Sequence, residues 1–208
     1  MSIKWPIRWD LRTSESHPLQ IDWISHANFK GKIGLTLCPG KYQPVSWTGG
    51  WNRDLKTGLE TLVEQGTSTV ITLIDKNEME SLRVNNIGVI IEQMGMRWIH
   101  LPLEDTTAPN STWMNNFLSV LYSIIDELND EDLIVIHCKG GLGRAGTCAA
   151  LILHAQGLTM DWAIDLVRMV RSKDCINFEQ YDFLKSNESL LKTLRLIKGT
   201  QFKTEVKS

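Results

Sequence analysis

Short apolar runs alternate with amphipathic stretches along this chain, and the alternation sets the order of its elements. Ile33–Leu37 reads as a strand ended by Cys38-Pro39-Gly40, followed by an irregular loop over Lys41–Gly50. From Asn52 to Gln65, Leu55, Leu59, Leu62 and Val63 recur at helical spacing, and Gly66 stops the pattern. Val70–Ile74 is a β-branched apolar run, read as a buried strand. Glu78–Val84 and Ile87–Met94 read as short helices, and Trp98–Leu103 as the next strand, followed by the polar loop Glu104–Asn110. A helix capped by Ser111 or Thr112 runs to about Leu128. Leu133–His137 is wholly apolar up to its last residue and runs into a glycine-rich segment. Three helices follow, from Ala145 to just before Gly157, over Thr159–Arg171 and over Asn177–Leu194.

Strands that alternate with helices and carry continuous apolar runs imply an α/β fold. The expected architecture is a central, mainly parallel sheet flanked by helices. Residues 1–30 show no period and read as an irregular segment packed on the domain. The domain itself spans 31–198, and 199–208 form a flexible tail. Trp5, Trp9 and Trp23 in the first segment read as core cover in preference to a partner surface.

Composition narrows the function classes. Hydrophobic residues make up 42% of the 208, enough for one substantial core. The net charge is -2 and no block of like charge stands out, which speaks against a nucleic-acid or anionic-membrane partner. Lys192, Arg195, Lys198, Lys203 and Lys207 read as a solvated helix end. No run has the length of a membrane span, and Met1–Asp10 lacks the apolar stretch of a signal peptide. Cys38, Cys138, Cys148 and Cys175 fit neither a zinc spacing nor a disulfide scaffold, so a reduced, cytoplasmic setting is expected.

The chemistry concentrates in His137-Cys138-Lys139-Gly140-Gly141-Leu142-Gly143-Arg144. A buried strand delivers Cys138 to the carboxyl edge of the sheet, where α/β folds bind ligands. Gly140, Gly141 and Gly143 let successive N–H groups turn inward as an anion-binding nest, and the next helix points its N-terminus at the same spot. The same features favour a thiolate at Cys138. Arg144 closes the loop with a planar fork that can hold two phosphate oxygens. Lys139, Gly140, Gly141, Leu142, Gly143 and Arg144 are thus the candidate phosphate-binding residues. The segment lacks the Gly-Lys-Ser/Thr ending of a nucleotide-binding loop.

Cys138 and Arg144, with His137 before and five residues between, resemble the signature of cysteine-based protein phosphatases, most of all the dual-specificity branch. The glycine segment, together with Leu37-Cys38-Pro39-Gly40, Arg53-Asp54-Leu55 and Val70–Ile74, is similar to the cyclin-dependent kinase-associated phosphatase (cyclin-dependent kinase inhibitor 3) family and its bacterial relatives. The resemblance spans roughly Ile33 to Leu190 and implies the cysteine phosphatase fold. It also implies an aspartic general acid on a separate loop after a proline-containing strand end. Leu101-Pro102-Leu103-Glu104-Asp105 matches, so Asp105 is the expected acid and Glu104 its alternative. The implied catalytic set is Cys138, Arg144 and Asp105, acting through a phosphocysteine with no metal or organic cofactor. The implied substrate is a phosphoprotein, carrying phosphotyrosine, phosphoserine or phosphothreonine, and a protein kinase is a candidate partner. Phosphoinositides or RNA 5′-phosphates are the alternative, through Lys139, and a phosphate-binding pseudophosphatase is the other, through Ala145.

His137 is expected beneath the loop as structural support. Gln180, in Phe178-Glu179-Gln180-Tyr181, resembles a family segment beside the pocket, which implies water positioning; its helical setting alone implies a plain surface residue. Arg53 and Asp54 are expected to form an ion pair at a helix N-terminus. Where the family usually has Ser or Thr after the arginine, this chain has Ala145. Thr147 lies two positions on and faces elsewhere on a helix, so breakdown of the phosphocysteine is expected to be slow. Cys148 reads as core, while Cys38 meets the active thiol only if the fold brings them together.

Overall fold

A computed structural model describes residues 11–46 and 49–189 of the chain. Among the described residues the central sheet has five strands. In chain order they are β1 (Asp22–Ile24), β2 (Lys32–Leu37), β5 (Thr67–Thr72), β6 (Arg97–His100) and β7 (Leu133–Cys138), laid side by side as β1-β2-β7-β5-β6. All neighbours are parallel except β1, which runs antiparallel to β2 with Asp22 opposite Leu35. Between β2 and β5 come a two-stranded ribbon, β3 (Tyr42–Gln43) with β4 (Trp51–Asn52), and the helix α1 (Leu55–Glu64).

The expected α/β fold is therefore present, with helices on both faces. β7 is the middle strand, and its alternation divides two cores. Ile134 and Ile136 pack with α4 (Ser111–Asn129), α5 (Gly143–Ala155), α6 (Met160–Val170) and α7 (Phe178–Ser186). Val135 points the other way, into a second cluster with α1, α2 (Lys76–Ser81) and α3 (Ile87–Gln93). Burial on both sides is why this strand is continuously apolar.

Several boundaries differ from the sequence expectation. Residues 1–30 are not wholly irregular: Asp22–Ile24 adds an edge strand, too short to leave a period. Trp5 and Trp9 lie outside the described residues. The first helix begins at Leu55, not Asn52, because Trp51 and Asn52 pair with the Lys41–Gly50 loop and Asp54 caps the helix, accepting from Thr57 N. The helix expected at Glu78 begins two residues earlier, because Asp75 caps it: the Asp75 carboxylate accepts from Glu78 N, and the Glu78 carboxylate accepts from Asp75 N. The last helix ends at Ser186; its expected continuation beyond Ser189, the basic C-terminal stretch and the tail lie outside the described residues.

Candidate active site

The pairing of β2 with β7 runs through Leu37 opposite Cys138, so Cys138 is the last residue of the central strand at its carboxyl edge. The Cys138 side chain is almost fully buried, and Gly141 N donates toward its Sγ across 3.2 Å. Gly141 has φ +68°, and a Cβ there would stand 2.3 Å from Thr36 O, so only glycine fits. Arg171 fixes the loop from outside. Its Nε donates to Gly141 O (3.0 Å), its Nη2 to Gly140 O (3.3 Å), and its Nη1 pairs with Asp22 Oδ2 (2.5 Å). A trans peptide points its N–H opposite to its C=O. Carbonyls of Gly140 and Gly141 held outward thus turn the N–H groups of Gly141 and Leu142 inward, and α5 starts immediately after, at Gly143.

Arg144, in the first turn of α5, is 1% exposed. Its Nη1 and Nη2 grip both oxygens of Glu78 (2.5 and 2.8 Å), and Nη1 also donates to Leu103 O at 2.8 Å. Nη2 lies 2.9 Å from Asp105 Oδ1. The remaining donor, Nε, is buried and has no partner among the described residues. Burial opposes the charge on Arg144, but the Glu78 hydrogen bonds and the nearby Cys138 and Asp105 outweigh it and raise its pKa. The capping box at the start of α2 is thus also a mount for the arginine, a role the sequence alone did not suggest.

Asp105 is half-exposed and lines the same cavity, of about 320 Å³, as Cys138, Lys139, Gly140, Gly143 and Arg144. Glu104, its alternative, is not among the lining residues. The Asp105 loop is tied down by α7: Asn177 Nδ2 donates to Thr106 O (2.8 Å), Gln180 Nε2 to Thr107 O (3.1 Å) and Ala108 N to Glu179 Oε1 (3.4 Å). Gln180 is therefore no surface residue. It is fully buried, lines the cavity, and completes a capping box with Asn177.

His137 is also fully buried. Its ring Nε2 lies 2.8 Å from Thr72 Oγ1 on β5, so its clearest hydrogen bond runs across the sheet and not to the glycine loop. Burial lowers its pKa to about 3, partly offset by the Cys138 backbone beside it, and the ring stays neutral. Lys139 and Lys41 both line the cavity. Lys41 is buried, and desolvation, then the charge of Lys139, lower its pKa. No sequence signal points to Lys41, which sits in a loop with no period.

Ala145 is fully buried, and Thr147 Oγ1 donates to Gly143 O at 2.9 Å, so that hydroxyl is spent on the helix backbone. Cys148 is core, and burial pushes its thiol pKa up. Cys38 lies one step beyond the Leu37–Cys138 pair; burial pushes its pKa up as well, and Cys138 adds to the shift. Arg53 and Asp54 do not form the expected ion pair: Asp54 caps α1, and Arg53 Nη1 donates to His17 O.

Residues 49–158, just over half of the chain, match the family model Tc-R-P, described as polymorphic toxin system, DSP-PTPase phosphatase. Mouse cyclin-dependent kinase inhibitor 3 is 29% identical over 177 residues, covering 82% of this chain and 79% of that protein. Mouse protein tyrosine phosphatase type IVA 3 is 28% identical over 135 residues, covering 64% and 72%. Among solved structures, kinase-associated phosphatase with serine in place of its catalytic-site cysteine superposes with a TM-score of 0.74. It shares 24% identity and covers 84% of this chain and 97% of that one.

Proposed function

We propose how the site works from one premise: this chain belongs to the DSP-PTPase phosphatase family and is a cysteine-dependent dual-specificity protein phosphatase. Cys138 is the nucleophile, Arg144 the phosphate clamp and Asp105 the general acid. The observation that carries the assignment is the free edge of Arg144. Nε and Nη2 share one side of the guanidinium; Nε has no partner among the described residues, and Nη2 meets only Asp105 beyond its Glu78 contact. Asp105 Oδ1 is the anionic group that stands beside this edge, 2.9 Å from Nη2. A phosphate entering the cavity takes both donors and moves the carboxyl aside, toward the leaving-group oxygen.

In the first step Cys138 Sγ forms a bond to phosphorus, the ester P–O bond breaks, and the Asp105 carboxyl gives its proton to the departing oxygen. In the second, water attacks phosphorus, the S–P bond breaks, and the Asp105 carboxylate takes the water proton, releasing phosphate and the Cys138 thiolate. The inward N–H groups of Gly141 and Leu142 and the Arg144 edge meet the negative charge of the phosphoryl oxygens throughout. Gln180, whose amide borders the cavity beside Gly143, holds the Asp105 loop in place for both steps through Thr107 O.

The substrate class is a phosphoprotein, with a phosphorylated protein kinase among the candidates, in line with the names of the relatives. Lys41 and Lys139 on the cavity wall favour a second reading, a substrate with a further phosphate such as a phosphoinositide. Cys138→Ser should cut hydrolysis of an aryl phosphate by at least about 10⁴-fold, and phosphotyrosine and phosphothreonine peptides should outcompete inositol lipids. Residual turnover within tenfold of wild type would remove Cys138 from the mechanism; preference for the lipids would favour the second reading.

A further inference from the structure

We propose that a second cavity, centred on Arg53, is a binding site for a phosphate-sized oxyanion. It measures about 310 Å³ and is lined by His17, Gln20, Leu37, Trp51, Arg53 and Arg171 among others. Among the described residues no carboxylate lines it, and two guanidinium groups do. Arg171 is already paired with Asp22 and the glycine loop, but Arg53 is not.

Arg53 is 5% exposed, and Nη1 donates to His17 O at 2.5 Å. Its Nε and Nη2 are buried with no partner among the described residues. They form one edge of the guanidinium, the edge that binds a carboxylate or phosphate through two parallel hydrogen bonds. A buried cation left without an anion is costly, and burial lowers the Arg53 pKa accordingly. The guanidinium of Arg53 lies 5.6 Å from the Trp51 ring centroid, and Arg171 lines the same cavity. A dianion seated on the Nε/Nη2 edge supplies the missing charge and both missing acceptors. The site is also wired to the catalytic loop, because Arg171 lines the cavity and holds Gly140 and Gly141.

Arg144→Met disables the catalytic clamp, so inorganic phosphate titrated into that variant by calorimetry reads the second cavity. One saturable site is expected, and adding Arg53→Met should weaken it about tenfold or more, the worth of a charge-assisted contact. The melting temperature of Arg53→Met without phosphate should equal or exceed that of wild type, since an unpaired buried charge is gone. Wild-type crystals soaked in tungstate check the site without any substitution: anomalous density on the Arg53 edge supports it, and density confined to Cys138 and Arg144 overturns it. Phosphate affinity unchanged by Arg53→Met, or no saturable binding to Arg144→Met, also overturns it. A peptide with two phosphates separates the sources. If its KM advantage over the singly phosphorylated peptide vanishes in Arg53→Met, the anion is a substrate phosphoryl group; an advantage that Arg53→Met leaves unchanged assigns the site to free phosphate.

Discussion

Arg144 and Arg53 are both buried, both donate Nη1 to a backbone carbonyl and both leave their Nε unpartnered among the described residues, yet the charges around them differ. Arg144 is braced by both oxygens of Glu78, faces Asp105, and shares its cavity with Cys138. Arg53 is held by one carbonyl, and among the described residues no acid and no thiol lines its cavity. The contrast separates two jobs that a phosphatase site combines. A free guanidinium edge suffices to bind a phosphate; only a nucleophile in line and an acid at the leaving oxygen turn binding into turnover.

The strongest way to push the Arg144 site toward the Arg53 condition is to remove Asp105, its proposed proton donor. Asp105→Asn should lower kcat by about 10²–10⁴ on alkyl phosphates such as phosphothreonine, and far less on an activated aryl phosphate. Phosphate binding should survive, because Asp105 is an anion beside Arg144 whose place phosphate takes. Equal losses on both substrates would rule Asp105 out as the acid.

Removing the brace is the next test. Glu78→Gln leaves Arg144 held mainly by Leu103 O, a state closer to that of Arg53. One charge-assisted pair is lost, so kcat/KM should fall by about 10–10², by the same factor for good and poor leaving groups. That independence distinguishes a misplaced clamp from a missing acid, and a leaving-group-dependent loss would refute it.

Gln180 acts a step further out, through the loop that carries Asp105. Gln180→Ala removes the bond to Thr107 O and half of a capping box, while Asn177 and Glu179 still hold the loop. A loss of about tenfold is expected, larger on alkyl than on aryl phosphates, because the acid is less often in place. A purely stability-linked effect would lower the melting temperature and leave the two substrates equally affected.

These partners also mark how far the sequence could be read. The glycine loop was legible because its strand, glycines, cysteine and arginine are contiguous, so local geometry suffices to assemble them. The place of Asp105 at the cavity was legible only through resemblance, since an acid in a polar loop has no signature of its own. Glu78 reaches Arg144 across 66 positions and Arg171 reaches Gly141 across 30, and no periodicity encodes either meeting. The plain-surface reading of Gln180 failed for a related reason: an uncharged polar residue in a helical first turn reads as exposed, and only docking of α7 on the Asp105 loop buries it. The expected pair of Arg53 and Asp54 failed because each neighbour found a different partner, Asp54 in the helix cap and Arg53 at His17 O.

The smallest expected effect concerns the breakdown of the phosphocysteine after the phosphoryl group has been captured. Neither Ala145 nor Thr147 offers a hydroxyl to the departing thiolate: the first has none, and the second donates to Gly143 O. The phosphocysteine should therefore accumulate, and rapid-quench mixing with an aryl phosphate should show a burst of phenol that approaches one per enzyme. Ala145→Ser places a donor in the first turn of α5, beside the loop. One added hydrogen bond to sulfur should raise steady-state turnover about threefold and shrink the burst. Since the first step is unaffected, the burst rate constant should not change. A wild-type reaction without a burst, together with Ala145→Ser turning over at the wild-type rate, would place the slow step elsewhere and leave the Arg144 site limited by capture alone, one step closer to the binding-only site at Arg53.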